Sequence, residues 1–232
     1  MTEPSALTAL RRDAGTVARD AWVWLVAAAV AAGAFVAVVP PGLPYDEPAH
    51  WATVEFYADE ARMPELGEPG ATYEAQMGPV AYVVAAAVAT PVRALAGDVA
   101  AFHAVRALGA LELLALVLLL GVAARRAVDH RSAAVLAVAV AGLNPMLLAV
   151  GASVQNDILA IALGLAAILI AVDPARPRTL THVIVGMLLG LAILTKVTAW
   201  PFAVAVAVVV AIRRDWRGVA TIAGTAIAVS GW

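Results

Sequence analysis

The sequence predicts an all-α fold of the polytopic membrane kind. The expected form is a helical bundle of about seven transmembrane helices, N-terminus inside, with an outer acidic loop containing juxtamembrane helices. Three observations predict it. Of 232 residues, 63% are hydrophobic and only 14% are charged, with a mean hydropathy of +0.89, whereas an average soluble domain is about 25% charged and about 45–50% apolar. The apolar residues gather in successive runs of membrane-span character. A single long hydrophilic stretch, Pro40 to Met77, interrupts them. The net charge of −2 and the lack of any Lys/Arg-rich run exclude a nucleic-acid binder. With no cysteine there is no disulfide, no thiol nucleophile and no Cys-ligated metal.

Residues 1–20 are polar, carry Arg11, Arg12 and Arg19, and read as a cytoplasmic tail. Residues 21–39 are uncharged and would extend about 28 Å as a helix, enough for a bilayer core. The run ends in Pro40-Pro41 without an A-x-A cleavage site, so it is read as a retained first span rather than a signal peptide. Residues 40–100 form the outer loop. Between Asp46 and Glu74 it holds eight acids against one arginine, Arg62. Pro48 suits the first turn of a helix, with Glu47 as its cap, and Trp51, Val54, Phe56 and Tyr57 give a short amphipathic helix reaching about Arg62. Pro64, Gly67, Pro69 and Gly70 then break the chain.

Residues 101–232 supply the rest of the bundle, with spans at about 101–123, 132–152, 155–172, 180–196, 198–212 and 218–232. The apolar run 78–96, interrupted by Pro79 and Pro91, is placed along the outer face by charge parity. Arg125, Arg126, Arg131, Arg176, Arg178, Arg213, Arg214 and Arg217 then fall inside with the three tail arginines, as the positive-inside rule prefers. The last run stops at Trp232 without a polar anchor, which suggests a bundle that continues beyond the chain end.

Several polar residues are hard to explain as packing. Asp46, Glu47 and His50 follow the first span. Glu74 and Gln76 precede Gly78-Pro79. Asn156-Asp157 interrupts one apolar stretch and Lys196 another, and Arg106 and Glu112 lie within the second span. Ionisable groups at such depth cost several kcal/mol unless paired or hydrated. Each also has a plainer reading. Asp46, Glu47, Asn156 and Asp157 suit helix caps. His50 suits a solvated or capping role, and Arg106 and Lys196 could snorkel to headgroups. Glu112 has no evident partner. As a set, all but Glu112 map to one side of the membrane. A carboxylate there can act as general base, and a cation can stabilise charge on a departing phosphate.

The segment "PPGLPYDEPAHWATVEFYADEARMPELGEPG" after the first span resembles the first outer loop of GT-C superfamily glycosyltransferases, in which an Asp-Glu pair follows the first helix. "YEAQMGPVAYVVAAAV" is similar to the later part of that loop. "AVRALGALELLALVLLLGVAARRA", "LNPMLLAVGASVQNDILAIALG" and "GMLLGLAILTKVTAWP" resemble the family's next span and its N-D and G-L-A-x-L-T-K elements. The membrane regions of protein-O-mannosyltransferases and aminoarabinose transferases are of this type. The sequence departs from the protein-O-mannosyl branch at Gln76-Met77-Gly78-Pro79, which lacks the second proline of the usual pair.

The resemblance implies inverting transfer of a sugar from a polyprenyl-phosphate donor to a hydroxyl of a glycan, lipid or protein acceptor. The expected place is the extracytoplasmic face of the plasma membrane. By position it makes Asp46 the general base, with Glu47 assisting. Arg106 and Lys196 become candidates for the donor phosphate, Glu74, Gln76, Asn156 and Asp157 line the site, and His50 contacts substrate. No metal ligand set is assigned, and a divalent metal is left open. The rival readings are a lipid or small-molecule transporter or flippase, and a non-catalytic truncated relative.

Overall fold

A computed structural model of the chain describes residues 6–44, 46–173 and 179–231; the regular structure among those residues is helical, with no strand. The centre is α5 (Asp98–Val128), a 31-residue helix rich in Leu and Ala. Asp98 in its first turn and Arg125 and Arg126 in its last complement the helix dipole. The buried residues Leu113, Leu116 and Val117 of α5 share one apolar core with Val17, Ala32, Val138 and Ile158. That core joins α5 to α1 (Ala6–Asp20), α2 (Trp22–Val38), α6 (Arg131–Gly142), α7 (Pro145–Gly151) and α8 (Asp157–Ala171). A second cluster ties α3 (Glu47–Glu60) and α4 (Val80–Ala96) to the start of α5 through Val54, Tyr82, Ala85 and Phe102. A third holds α9 (Thr179–Thr195), α10 (Trp200–Ile212) and α11 (Trp216–Ser230) against α8.

The helical class predicted from sequence holds, but several boundaries differ. The polar tail is an amphipathic helix, α1, lying at 83° to α2. It is tied to the end of α5 by Asp13–Arg126 and Asp20–Arg125 ion pairs. The expected span 132–152 is two helices meeting at 63°. Pro145 removes the N–H that would continue α6, and Asn144 Oδ1 instead accepts from the N–H groups of Met146 and Leu147 to start α7. Pro91, expected to interrupt the 78–96 run, lies within a continuous α4.

Seven spans are more than the structure supports. By length and composition, α5 alone qualifies among the described residues, or up to three spans if the bent pairs α1–α2 and α6–α7 each count as one. The reason is geometric. Helices α2 and α9 have 17 residues, α8 and α11 have 15 and α10 has 13, lengths of about 20–25 Å, against an apolar core of about 30 Å. Their outer surfaces are nevertheless apolar, with Val30, Ile161, Met187, Val208 and Ile227 all exposed. Two of the arginines used in the charge argument, Arg176 and Arg178, lie outside the described residues, as does Trp232.

Candidate active site

The polar residues singled out from the sequence converge at the N-terminal end of α5, where α3, the 3-10 turn Tyr73–Gln76, α4 and the N-terminus of α8 meet. The close approach starts with backbone. A Cβ on Gly109 of α5 would lie 2.6 Å from the Gly151 carbonyl oxygen, so only glycine lets the 151–154 turn lie against the helix. That contact delivers the Val154 N–H to Glu47 Oε1, at 2.9 Å.

Glu47 and Arg106 are both fully buried and form a two-pronged ion pair, Nε to Oε1 at 2.8 Å and Nη2 to Oε2 at 2.6 Å. The guanidinium also donates to the carbonyls of Val39 and Pro40, at 2.6 and 3.1 Å, with longer contacts to those of Val36 and Leu43. It thereby closes the C-terminal end of α2 and sits over the Phe102 ring. Glu47 Oε2 accepts from the Gly42 N–H as well. Arg106 therefore does not snorkel. The phosphate role implied for it meets a guanidinium whose N–H groups are already engaged by Glu47 and main-chain carbonyls.

Asp46, not Glu47, occupies the N-cap position of α3, and its side chain makes no capping bond. Oδ1 instead accepts from Gln155 Nε2 at 2.6 Å, while Oδ2 faces His50 Nε2 at 3.7 Å. The Asp46 side chain is 43% exposed; that of His50, one turn along, is 2% exposed. On the other edge of the imidazole, Nδ1 lies 2.7 Å from the Tyr82 hydroxyl, which donates to Glu74 Oε2 at 3.0 Å. Tyr82 and Glu74 are as buried as His50. Burial pulls the His50 pKa below its ordinary 6.5, against the opposing pull of the Glu74 and Asp46 carboxylates, so the imidazole rests neutral. Burial, with the Glu74 charge adding to it, pushes the Tyr82 phenol far up.

Asn156 takes the N-cap position of α8 but makes no side-chain cap either. Its Nδ2 reaches toward the Tyr82 hydroxyl and the Thr195 carbonyl, each at 3.5 Å. Lys196 is paired with Asp157 at 2.7 Å rather than extended toward headgroups. Gln76 ends the 3-10 turn and is exposed. Glu112 lines a small cavity with Gly109, Tyr82, Ser153 and Gln155, which places it beside the site.

Among the described residues no group of three or more His, Asp or Glu is disposed to hold a metal ion; the Asp46 and Glu74 carboxylates approach opposite edges of the His50 ring.

Sequence reasoning missed Tyr82 and Gln155. Tyr82 is hidden in an apolar helix, and its only signal is a hydroxyl that would need a partner once buried. Gln155 adjoins Asn156-Asp157 in a turn already noted as polar.

The family model for dolichyl-phosphate-mannose-protein mannosyltransferase matches residues 79–230. The match takes in Tyr82, Arg106, Asn156, Asp157 and Lys196, and begins after Asp46, Glu47, His50, Glu74 and Gln76. No curated protein and no solved structure matches the chain. With more than half of its length matched, the chain belongs to the dolichyl-phosphate-mannose-protein mannosyltransferase family, a glycosyltransferase family of the GT-C type.

Proposed function

We propose that this site transfers a sugar from a polyprenyl-phosphate donor to an acceptor hydroxyl at the extracytoplasmic face, with inversion, and that Asp46 is the general base. One observation carries the assignment. Of the four carboxylates at residues 46, 47, 74 and 157, only that of Asp46 is both open to solvent and free of a cation or hydroxyl partner at hydrogen-bond distance. Glu47 is enclosed by Arg106 and two backbone N–H groups, Glu74 is buried against Tyr82, and Asp157 is paired with Lys196. An exposed carboxylate fixed on one oxygen by Gln155 can receive a proton from a bound hydroxyl on the other.

In this reading the acceptor oxygen attacks the anomeric carbon as its proton passes to Asp46. The bond from that carbon to the phosphate oxygen breaks on the opposite side, which inverts the centre. Lys196, partly exposed and paired with Asp157, supplies positive charge for the departing phosphate. Arg106 and Glu47 act as positioning residues that hold the start of α3 against α5. Polyprenyl phosphate leaves without a separate general acid, because a phosphate monoester is already a stable anion.

The membrane setting agrees with the two polar layers on α5. Arg106 and Arg126 are twenty residues apart, about 30 Å along a helix and close to the thickness of a bilayer core, and Glu112 is the one ionisable residue between Arg106 and Arg125. The test is Asp46→Asn in native membranes, supplied with polyprenyl-phosphate-mannose. Loss of transfer, with donor binding and folded yield retained, is the expected result. Retained transfer would sink the assignment.

A further inference from the structure

The hydrogen bonds around Tyr82 contain more information than the positions of the residues. A phenol has one proton and two acceptor lone pairs. Tyr82 donates that proton to Glu74. The His50 nitrogen 2.7 Å from the same oxygen must therefore be the donor of that pair, so Nδ1 carries the imidazole proton. Asn156 Nδ2, at 3.5 Å, faces the remaining lone pair. Because burial keeps the ring neutral, Nε2 is left with a bare lone pair, and it points at Asp46 Oδ2 from 3.7 Å. A lone pair facing a carboxylate is mutually repulsive unless one proton lies between them. The Asp46–His50 pair is thus built one proton short.

We propose that His50 is the proton reservoir behind Asp46. The proton removed from the acceptor hydroxyl passes from Asp46 Oδ2 to His50 Nε2, and Tyr82 and Glu74 are positioning residues that fix the tautomer able to receive it. The inference rests on Asp46 being the base.

The balance of the reaction calls for such a store. The donor phosphodiester carries one negative charge and the polyprenyl phosphate that leaves carries two, so the reaction liberates one proton. The acceptor O–H bond and the bond from the anomeric carbon to the phosphate oxygen break, and the new glycosidic bond forms. The proton then rests on an imidazolium flanked by Asp46 and Glu74 at 3.7 Å each. It returns to solvent through Asp46, the exposed end of a network otherwise enclosed. Four elements present charged or titratable groups to the ring: Asp46 from α3, Glu74 from the 3-10 turn, Tyr82 from α4 and Asp157 from α8. Lys196, just after α9, opposes them and favours the neutral form.

The sharpest variant is His50→Asn in the full chain, in native membranes, with polyprenyl-phosphate-mannose as donor. The asparagine amide can still donate toward Tyr82 but has no basic nitrogen. The expected result is a kcat lower by about tenfold or more with KM for the donor unchanged, and an acid limb of the pH–rate profile displaced from wild type. Tyr82→Phe, which keeps the ring but releases the tautomer, should lower kcat in the same direction. A His50→Asn enzyme with wild-type kcat and pH profile overturns the proposal. Imidazole 15N spectra of the folded wild-type chain give a check independent of activity, with the His50 signals identified by their loss in His50→Asn. Resting Nε2 should be unprotonated and Nδ1 protonated at neutral pH; the reverse tautomer overturns the proposal. Asp46→Asn in the same assay separates the two readings. If it retains transfer, the base assignment fails; if it is inactive while His50→Asn is normal, the reservoir alone fails.

Discussion

At the scale of single residues, the site divides charges that are locked from charges that are available. Glu47 and Arg106 belong to the first group, with neither side chain open to solvent. A buried ion pair gains less from Coulomb attraction than its geometry suggests, because both ions have left water. Removing one partner is another matter. Arg106→Ala would strand the Glu47 carboxylate and free the carbonyls at the end of α2, at a cost of about 3–5 kcal/mol. The expected outcome is a sharp loss of folded protein in detergent, read as thermal unfolding midpoint and monodisperse yield. An Arg106→Ala protein with wild-type stability would contradict the positioning role. Asp46 belongs to the second group, which is why the Asp46→Asn and His50→Asn variants should affect turnover more than folding.

At the scale of elements, the site depends on how closely backbones meet. A Cβ added to Gly78 would lie 1.8 Å from the Leu194 carbonyl oxygen, so the turn before α4 touches the end of α9 directly. Gly78→Ala must push the turn away from Leu194 and carry the start of α4 with it, weakening the Tyr82 bonds to His50 and Glu74. Transfer activity should fall by about tenfold or more, since small displacements of positioning groups are costly, and protease susceptibility at the outer loop should rise. Unchanged activity and protection would show that the turn can relax without moving Tyr82.

At the scale of the whole molecule, two polar layers sit at opposite ends of α5 with apolar core between them. One is the site around Arg106. The other joins Arg126 to Asp13, Asp173 and the Leu169 carbonyl, with Trp22 and Trp216 exposed on helices that start near that end, as interfacial tryptophans are. The absence of cysteine makes orientation directly measurable. In intact cells a membrane-impermeant maleimide should label Leu66→Cys, in the exposed outer loop, and leave Gly15→Cys on α1 unlabelled until the membrane is opened. Gly15 has open space around it, so the substitution is tolerated. The reverse labelling pattern would place the site on the inner face and overturn the extracytoplasmic assignment.

Much of this was legible in the chain, for identifiable reasons. Helical class and membrane character follow from composition and run length, which are summed properties that survive errors of a few residues. The candidate set was also legible, because ionisable groups in apolar stretches are costly and stand out: Asp46, Glu47, His50, Arg106, Asn156, Asp157 and Lys196 all lie at one end of the bundle. What each of them does was not legible. Asp46 and Asn156 have the residue types of caps and occupy cap positions, yet neither caps its helix, because the tertiary partners Gln155, Tyr82 and the Thr195 carbonyl compete with the helix N–H groups. Arg106 and Glu47 are 59 residues apart, and no local pattern signals their pairing. The span count failed for a related reason. Apolar run length does not record the bend at Asn144-Pro145, nor the helices cut short by their turns. Composition and hydropathy alone determined the helical class and the membrane character of the chain. Only the tertiary structure decided which carboxylate is free, because partner choice depends on contacts between residues far apart in the chain.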